Sequence, residues 1–591
     1  MSLLTTRSIN VAALAGVDGL VNPVDLSARR QAISPNRSYA ENVREWGISG
    51  QIDYEFDSGM KFTSITAYRD WRLLRDQDID FSGLDRAYRD GYRNGLKDFT
   101  QELRLQGTAF EDKLDWLIGG FYLNETNTLR DTVRVGTQGN QYIDALIGAA
   151  TASGANPQTG PICGVRGCSI FGSLNFPGLP AQPFIGNIYK FNPATAAIAN
   201  NPLFTAQFSN YLPSQVGAGQ QTDDWRVKTE AIALFTHNII NFNDAISLTL
   251  GARWNHETKK LSANLNAVNA PCSAIEPGGS TSVFGQVFAG TAAFNSIRLL
   301  LCNPVINPEF NGAYSGGHSE DEFTGTAKLA FKLSDAVLLY GGYDRGYKSG
   351  GFNMDRGAFD SRYFGGNGAQ VSDTEFGPET VDSFEAGIKT EFSRQFIFNA
   401  TVYMANFHDF QDVTFIGNNF RVTSIQKLRS RGFELESIIR PHRDLTINLG
   451  YAYTDAKYID PSLALIPELA DSDGVQVTNQ PKHTVTAALT WTPQLSETVG
   501  ALFHVDARLN SDANTINARQ ANPATTNDGY TIVNARVGLN FNERYSIEAY
   551  VENLFNSYYS LTGFPVPEQS GSFAVYPAQP RFYGVKLRAS F

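Results

Sequence analysis

The 591-residue sequence has only four cysteines, 18% charged residues, and no apolar run near the roughly 20 residues that a membrane-spanning helix requires. Each shortage excludes something. Without a long apolar run, no helix can cross a bilayer. No Pro- or Ser-rich linker and no change of style after about residue 43 separate the chain into the several domains expected of a soluble protein this long. A formal net charge of −11 with no basic tail argues against nucleic acid as a partner. There is no Gly-x-Ser-x-Gly elbow, and His237, His256, His318, His408, His442, His483 and His504 are scattered without metal-ligand spacing. The chain is therefore not read as an enzyme, and no cofactor is expected. Residues 1–42 lack a charged stretch followed by an apolar stretch and a cleavage site, and are read as a loop-like N-terminal remnant without signal peptide or plug.

The cysteines fall in two local pairs, Cys163 with Cys168 and Cys272 with Cys302, all in segments that read as loops. Two loop disulfides formed in an oxidising compartment are expected; free thiols or a metal site are the alternatives, although no matching His or Cys cluster sits nearby.

Glycine, tyrosine and phenylalanine are abundant, at 53, 25 and 40 residues. The final segment shows how they are used. Tyr583, Val585, Leu587, Ala589 and Phe591 share one face of a strand, while Gly584, Lys586, Arg588 and Ser590 share the other. An apolar face opposite a polar one over about ten residues suits a strand between lipid and a wet lumen. The pattern recurs. Ile246, Leu248, Leu250, Ala252 and Trp254 oppose Ser247, Thr249, Gly251, Arg253 and Asn255. Paired segments follow at 322–333 with 336–347, 381–392 with 395–412, 425–439 with 444–455, and 482–492 with 498–510.

Short turns join the members of each pair. Long loops, near 70–96, 127–226, 257–321, 348–378, 456–480, 511–528 and 556–579, join one pair to the next. Tight turns at one end and long loops at the other define an all-β fold: a transmembrane antiparallel β-barrel over residues 43–591, with about seventeen strands. The six tryptophans near strand ends are read as interfacial girdles. Ile246, Leu248, Leu250, Val585 and Leu587 should face outward; Arg253, Lys586, Arg588, Glu385, Lys389, Glu434, Glu436 and Arg536 should face the lumen. An odd strand count suggests missing front strands, so the first and last strands are expected to close poorly or not at all.

Several segments resemble the barrel of TonB-dependent outer-membrane receptors: Leu338–Asn353, Gly377–Lys389, Arg431–Glu436, Gly529–Arg536, and the closing Val551–Asn556 with terminal Phe591. The resemblance implies a twenty-two-strand barrel in the full-length protein, placement in the cell outer membrane among its lipids, and uptake of a scarce nutrient such as a ferric siderophore, vitamin or oligosaccharide. It also implies energisation through the TonB–ExbB–ExbD complex, although the segment that binds this partner is not visible here. A monomer is expected. Tyr343, Arg345, Tyr347, Lys348, Asn353, His408 and Gln411 are the candidate ligand contacts, in the lumen or outer loops. A passive porin-like channel and a fragment with no function of its own are the alternative readings.

Overall fold

The computed structural model describes residues 33–34, 36–81, 83–140, 142–143, 214–216, 220–276, 298–416, 419–466, 469–516, 525–542, 544–566 and 573–590. Within them seventeen long strands form one antiparallel sheet in which each strand pairs with its sequence neighbour. The first six are β1 (Glu41–Glu55), β2 (Lys61–Asp78), β3 (Ala87–Ala109), β4 (Leu114–Asp131), β5 (Gln220–Asn243) and β6 (Ile246–Val268). There follow β7 (Gly312–Ser334), β8 (Val337–Lys348), β9 (Glu379–Ser393), β10 (Phe396–Ile416), β11 (Asn419–His442) and β12 (Leu445–Tyr458). The last five are β13 (His483–Trp491), β14 (Val499–Asn510), β15 (Tyr530–Phe541), β16 (Tyr545–Glu552) and β17 (Phe582–Ala589). Tight turns lie at one end of the sheet; in the first of them Gly59 takes φ 80°, a left-handed conformation that glycine adopts without steric penalty.

Registered pairs share a face, so the ladders assign every side chain. One chain of partners runs Leu248, Leu329, Gly341, Ala386, Val402 and Phe433. Exposure of Leu329 at 51% and Val402 at 57% marks this as the outward, lipid-type face. Ile246, Leu248 and Leu250 fall on it; Val585 and Leu587 share the corresponding face of the last strands with Ala549 and Ile547. Lys328, Glu385, Lys389, Glu434 and Glu436 fall on the opposite, lumenal face, where Lys328 bridges Asp344 at 3.0 Å and Glu385 at 3.4 Å. The charged groups meet water or one another rather than hydrocarbon.

The strands outrun the alternating segments at the long-loop end. The second reaches Asp78 where alternation suggests about Arg69, and β10 and β11 meet in a hairpin with Ile416 paired to Asn419. In β6 the phase of the pattern reverses: Leu261, Ala263, Leu265 and Ala267 are buried on the lumenal face, with exposed residues between them. Outer loops have folded into the mouth there. Trp225, Val227, Leu261, Ala263 and Leu265 pack against Phe310, Phe352 and Phe359 from those loops. Trp225 is 2% exposed, so this tryptophan belongs to the mouth's inner core and not to an interfacial girdle.

Cys272 and Cys302 are joined in a disulfide with Cα atoms 4.9 Å apart, in the connection between β6 and β7. Cys163 and Cys168 lie outside the described residues. Residues ahead of β1 pack on the loop after β2, where Arg37 makes a two-point ion pair with Asp85 at 2.8 and 2.7 Å. Among the described residues β1 pairs only with β2, and β17 only with β16, so no ladder joins the two ends of the sheet. Loops do bring them near each other: Phe81, after β2, lies 4.6 Å ring-to-ring from Phe564, before β17.

Candidate ligand site at the outer mouth

Phe564 is 1% exposed and is the hub of an aromatic cluster drawn from three connections. Besides Phe81, it meets Phe415 at 5.5 Å and Phe420 at 5.3 Å, from the tip of the β10–β11 hairpin, and Tyr576 at 5.9 Å. Tilted and edge-on aromatic contacts of this kind add to what area burial alone contributes. Phe81, Phe415, Phe420 and Tyr576 of this cluster line a cavity of about 370 Å³ together with Arg75, Arg86, Arg89, Asp80, Asp131 and Asp355.

The lower wall comes from the outermost turns of β2 and β3, whose register slips between Arg75 and Gln77. Arg89 grips Asp131 with two bonds, at 2.7 and 2.9 Å. Arg75 and Arg89 also approach the Tyr92 ring, at 5.3 and 5.1 Å, which fixes both guanidinium groups beside an aromatic surface. Arg75 is the less committed of the two: its Nη1 stands 3.7 Å from Glu41, and its Nε is buried without a hydrogen-bond partner. Arg86 lies 4.1 Å over the ring of Tyr142.

Asp355 sits in the loop between β8 and β9 and accepts a hydrogen bond from Gly357 N at 2.7 Å. Burial, and then the neighbouring Asp131 carboxylate, push its carboxyl up to about 6. Asp85, in the loop after β2, shows the opposite balance. Burial raises it, but the Arg37 guanidinium and the Thr137 N–H and hydroxyl outweigh burial and bring it down to about 2. The cavity thus offers flat aromatic walls, a partly uncommitted arginine, and a carboxyl that titrates near neutrality. Among the described residues no group of three or more His, Cys, Asp or Glu side chains is placed to hold a metal ion.

The residues singled out in the sequence go elsewhere. Tyr343, Arg345 and His408 do converge, but on the outward face and around Asp382. Tyr343 donates to Asp382 at 2.6 Å, Arg345 lies at 3.1 Å, and His408 Nε2 at 3.8 Å. Tyr347 follows the last β7–β8 pair, Gly325 with Arg345, and donates to Glu320 at 3.0 Å. Lys348 ends β8 and is exposed. Gln411 and Asn353 tie the 348–379 loop inward. Gln411 Nε2 donates to the carbonyls of Ser349 and Gly377 at 2.9 and 3.0 Å, and Asn353 Oδ1 accepts from Val422 N at 2.8 Å. Arg75, Arg86 and Arg89 escape the sequence pattern because alternation fades over 70–96, which reads as a loop; the density of Arg, Tyr and Asp from Arg69 to Arg93 is the available signal.

Residues 45–554 match the family model described as "TonB dependent receptor-like, beta-barrel", and the chain belongs to that family. Among solved structures it is similar to the ferric yersiniabactin uptake receptor FyuA from Yersinia pestis, at 14% identity and a TM-score of 0.60, covering 93% of this chain and 61% of that one. It is also similar to the closed form of the ferric-catecholate import receptor Fiu from K12 E. coli, at 12% identity and a TM-score of 0.57, covering 98% and 69%. A third is the siderophore receptor PiuA from Acinetobacter baumannii, at 14% identity and a TM-score of 0.55, covering 93% and 64%. At these identities the likeness is one of fold.

Proposed function

We propose that the chain is the barrel of a nutrient-uptake receptor in the Gram-negative outer membrane, and that its ligand is first held in the cavity beneath Phe564. The observation that carries this reading is the cavity itself, at the long-loop end, where rings from three loops line one space with Arg75 and Arg89. Flat hydrophobic walls beside guanidinium groups suit a small ligand with planar aromatic or amide surface and negative charge, such as a ferric siderophore. Vitamins and oligosaccharides remain in the tested set because aromatic faces also stack on sugars. Family membership supports energisation of uptake by the TonB–ExbB–ExbD complex; the chain spans 61% of the yersiniabactin receptor and 64% of PiuA. The barrel is proposed to act as a monomer.

The test is equilibrium binding of ferric siderophores, vitamins and oligosaccharides to membranes carrying the receptor. Saturable binding of one class, weakened at least tenfold by Arg75→Ala, is expected. Binding that is indifferent to Arg75→Ala and to Phe415→Ala would remove this cavity as the site.

A further inference from the structure

The residues that line the mouth cavity balance in charge. Arg75, Arg86 and Arg89 stand against Asp80, Asp131 and Asp355, with no lysine, histidine or glutamate among the described lining residues. The cavity is also small: about 370 Å³ lies near the lower end of the roughly 300–1,000 Å³ of small-molecule sites. An anion entering such a space adds a negative charge where water screens little. Either the anion is rejected or one carboxylate is neutralised.

The three carboxylates differ in their support. Asp131 accepts two bonds from Arg89, at 2.7 and 2.9 Å, and a third from Thr132 N at 2.9 Å. Asp80 accepts from Arg86 N at 3.2 Å and from Ala87 N at 3.0 Å. Bonds of this kind favour a charged carboxylate. Asp355 accepts from Gly357 N at 2.7 Å, and its charged neighbours are Asp131 on β4, Arg89 on β3 and Asp223 on β5. Arg89 is gripped by Asp131, and Asp223 by Arg356. A like-charged neighbour in a buried space makes Asp355 the carboxyl that takes a proton at least cost. Arg75 is the guanidinium left for an anion, since Glu41, 3.7 Å from it, lies on an exposed strand.

We propose that Asp355 sets the charge state in which the cavity accepts its ligand: a compact, flat aromatic anion binds at Arg75 together with one proton from solvent, and Asp355 takes that proton. The inference rests on the reading of this cavity as the ligand site. In the empty cavity the Asp355 carboxyl titrates at about 6. A bound anion pushes it higher. Affinity for an anion is therefore greatest near pH 5, where Asp355 is already protonated. It falls as pH rises past 6, by at most about tenfold per pH unit.

The test is calorimetry on the full chain in lipid nanodiscs, with 2-naphthalenesulfonate, ionised at every pH used, and its uncharged counterpart 2-naphthalenesulfonamide. Titrations at pH 7 in phosphate and in Tris, whose ionisation enthalpies differ, count the protons taken up. The sulfonate should bind with uptake of about half a proton or more per ligand, and about fivefold or more tighter at pH 5 than at pH 7.5. The sulfonamide should bind without proton uptake and within about twofold at the two pH values, a comparison that needs no variant. Asp355→Asn should bind the sulfonate equally at both. Burial and then the Asp80 carboxylate also push Asp78, which accepts from Asp80 N at 3.1 Å, up to about 6, so Asp78→Asn is the control and should keep the wild-type pattern. Sulfonate binding that is lost in Arg75→Ser but carries no proton, or uptake that persists in Asp355→Asn, would overturn the role of Asp355 and leave the cavity as the ligand site. Sulfonate binding indifferent to Arg75→Ser, or none at either pH, would remove both.

Discussion

Arg356 and Asp223 form a two-point ion pair inside the mouth, Nε to Oδ2 at 2.6 Å and Nη2 to Oδ1 at 2.7 Å, with both side chains 0% exposed. Arg356 belongs to the loop between β8 and β9, and Asp223 to β5. The third donor, Nη1, reaches the carbonyl of Asn307 at 3.0 Å, so one guanidinium holds a loop, a strand and a second loop together.

Removing one partner strands the other charge in a dry site. Arg356→Ala should cost about 3–5 kcal/mol, the usual penalty for breaking a buried pair. The loss should concentrate at the mouth. Hydrogen exchange should show residues 348–379 losing protection while β13–β16 keep theirs; uniform or absent loss would contradict the pair's role as a loop anchor.

Asp355 gives the mouth a pH dependence whose sign follows from its shift. Its carboxyl titrates near 6 in the folded protein against an ordinary value near 3.8. Above pH 6 it is ionised at a cost, and as pH falls through 6 it takes up a proton and that cost disappears. Protection of the 353–360 segment, corrected for intrinsic exchange, should therefore rise between pH 7.5 and 5. Asp355→Asn should abolish the change, and a variant that keeps the full dependence would assign it to another group.

Leu587 and Val402 face outward, whereas Lys586 faces the lumen. Leu587→Arg or Val402→Arg should cost about 2–4 kcal/mol where the position lies near the bilayer midplane, while Lys586→Leu should be nearly neutral. Folding titrations into bilayers would check this. A reversed ranking would mean that the register is off by one residue.

Cys272 and Cys302 are 30 residues apart in sequence. Closing a loop of that length should stabilise its fold by about 3–4 kcal/mol in the chain-entropy view. Reduction should make this loop protease-sensitive without unfolding the strands, as limited proteolysis with and without reductant would report.

The membrane-level architecture was legible because lipid imposes a period-two pattern on each crossing strand. Ile246–Trp254 and Tyr583–Ala589 carry it openly, and their directions follow from it. Above the bilayer both faces meet water or folded-in loops, and the pattern fades at Asp70–Arg75 or reverses at Leu261–Ala267. Alternation alone therefore ends the strands too early there and places Arg75 and Arg89 in a loop. Tyr343 and Arg345 looked like ligand contacts from their chemistry, but parity turns them outward. No local signal places Phe81, Phe415 and Phe564 together, because only the curl of the whole sheet brings those loops into contact.

The side of the wall on which ligand is met is the central question, and two arginines separate the answers. Arg75 faces the mouth cavity, and Arg345 faces outward beside Asp382. Binding of the same ligand should be measured on Arg75→Ser and Arg345→Ser in one membrane preparation. A loss of at least tenfold for Arg75→Ser with affinity kept in Arg345→Ser is the expected result; the reverse order would place recognition outside the mouth and contradict the assignment.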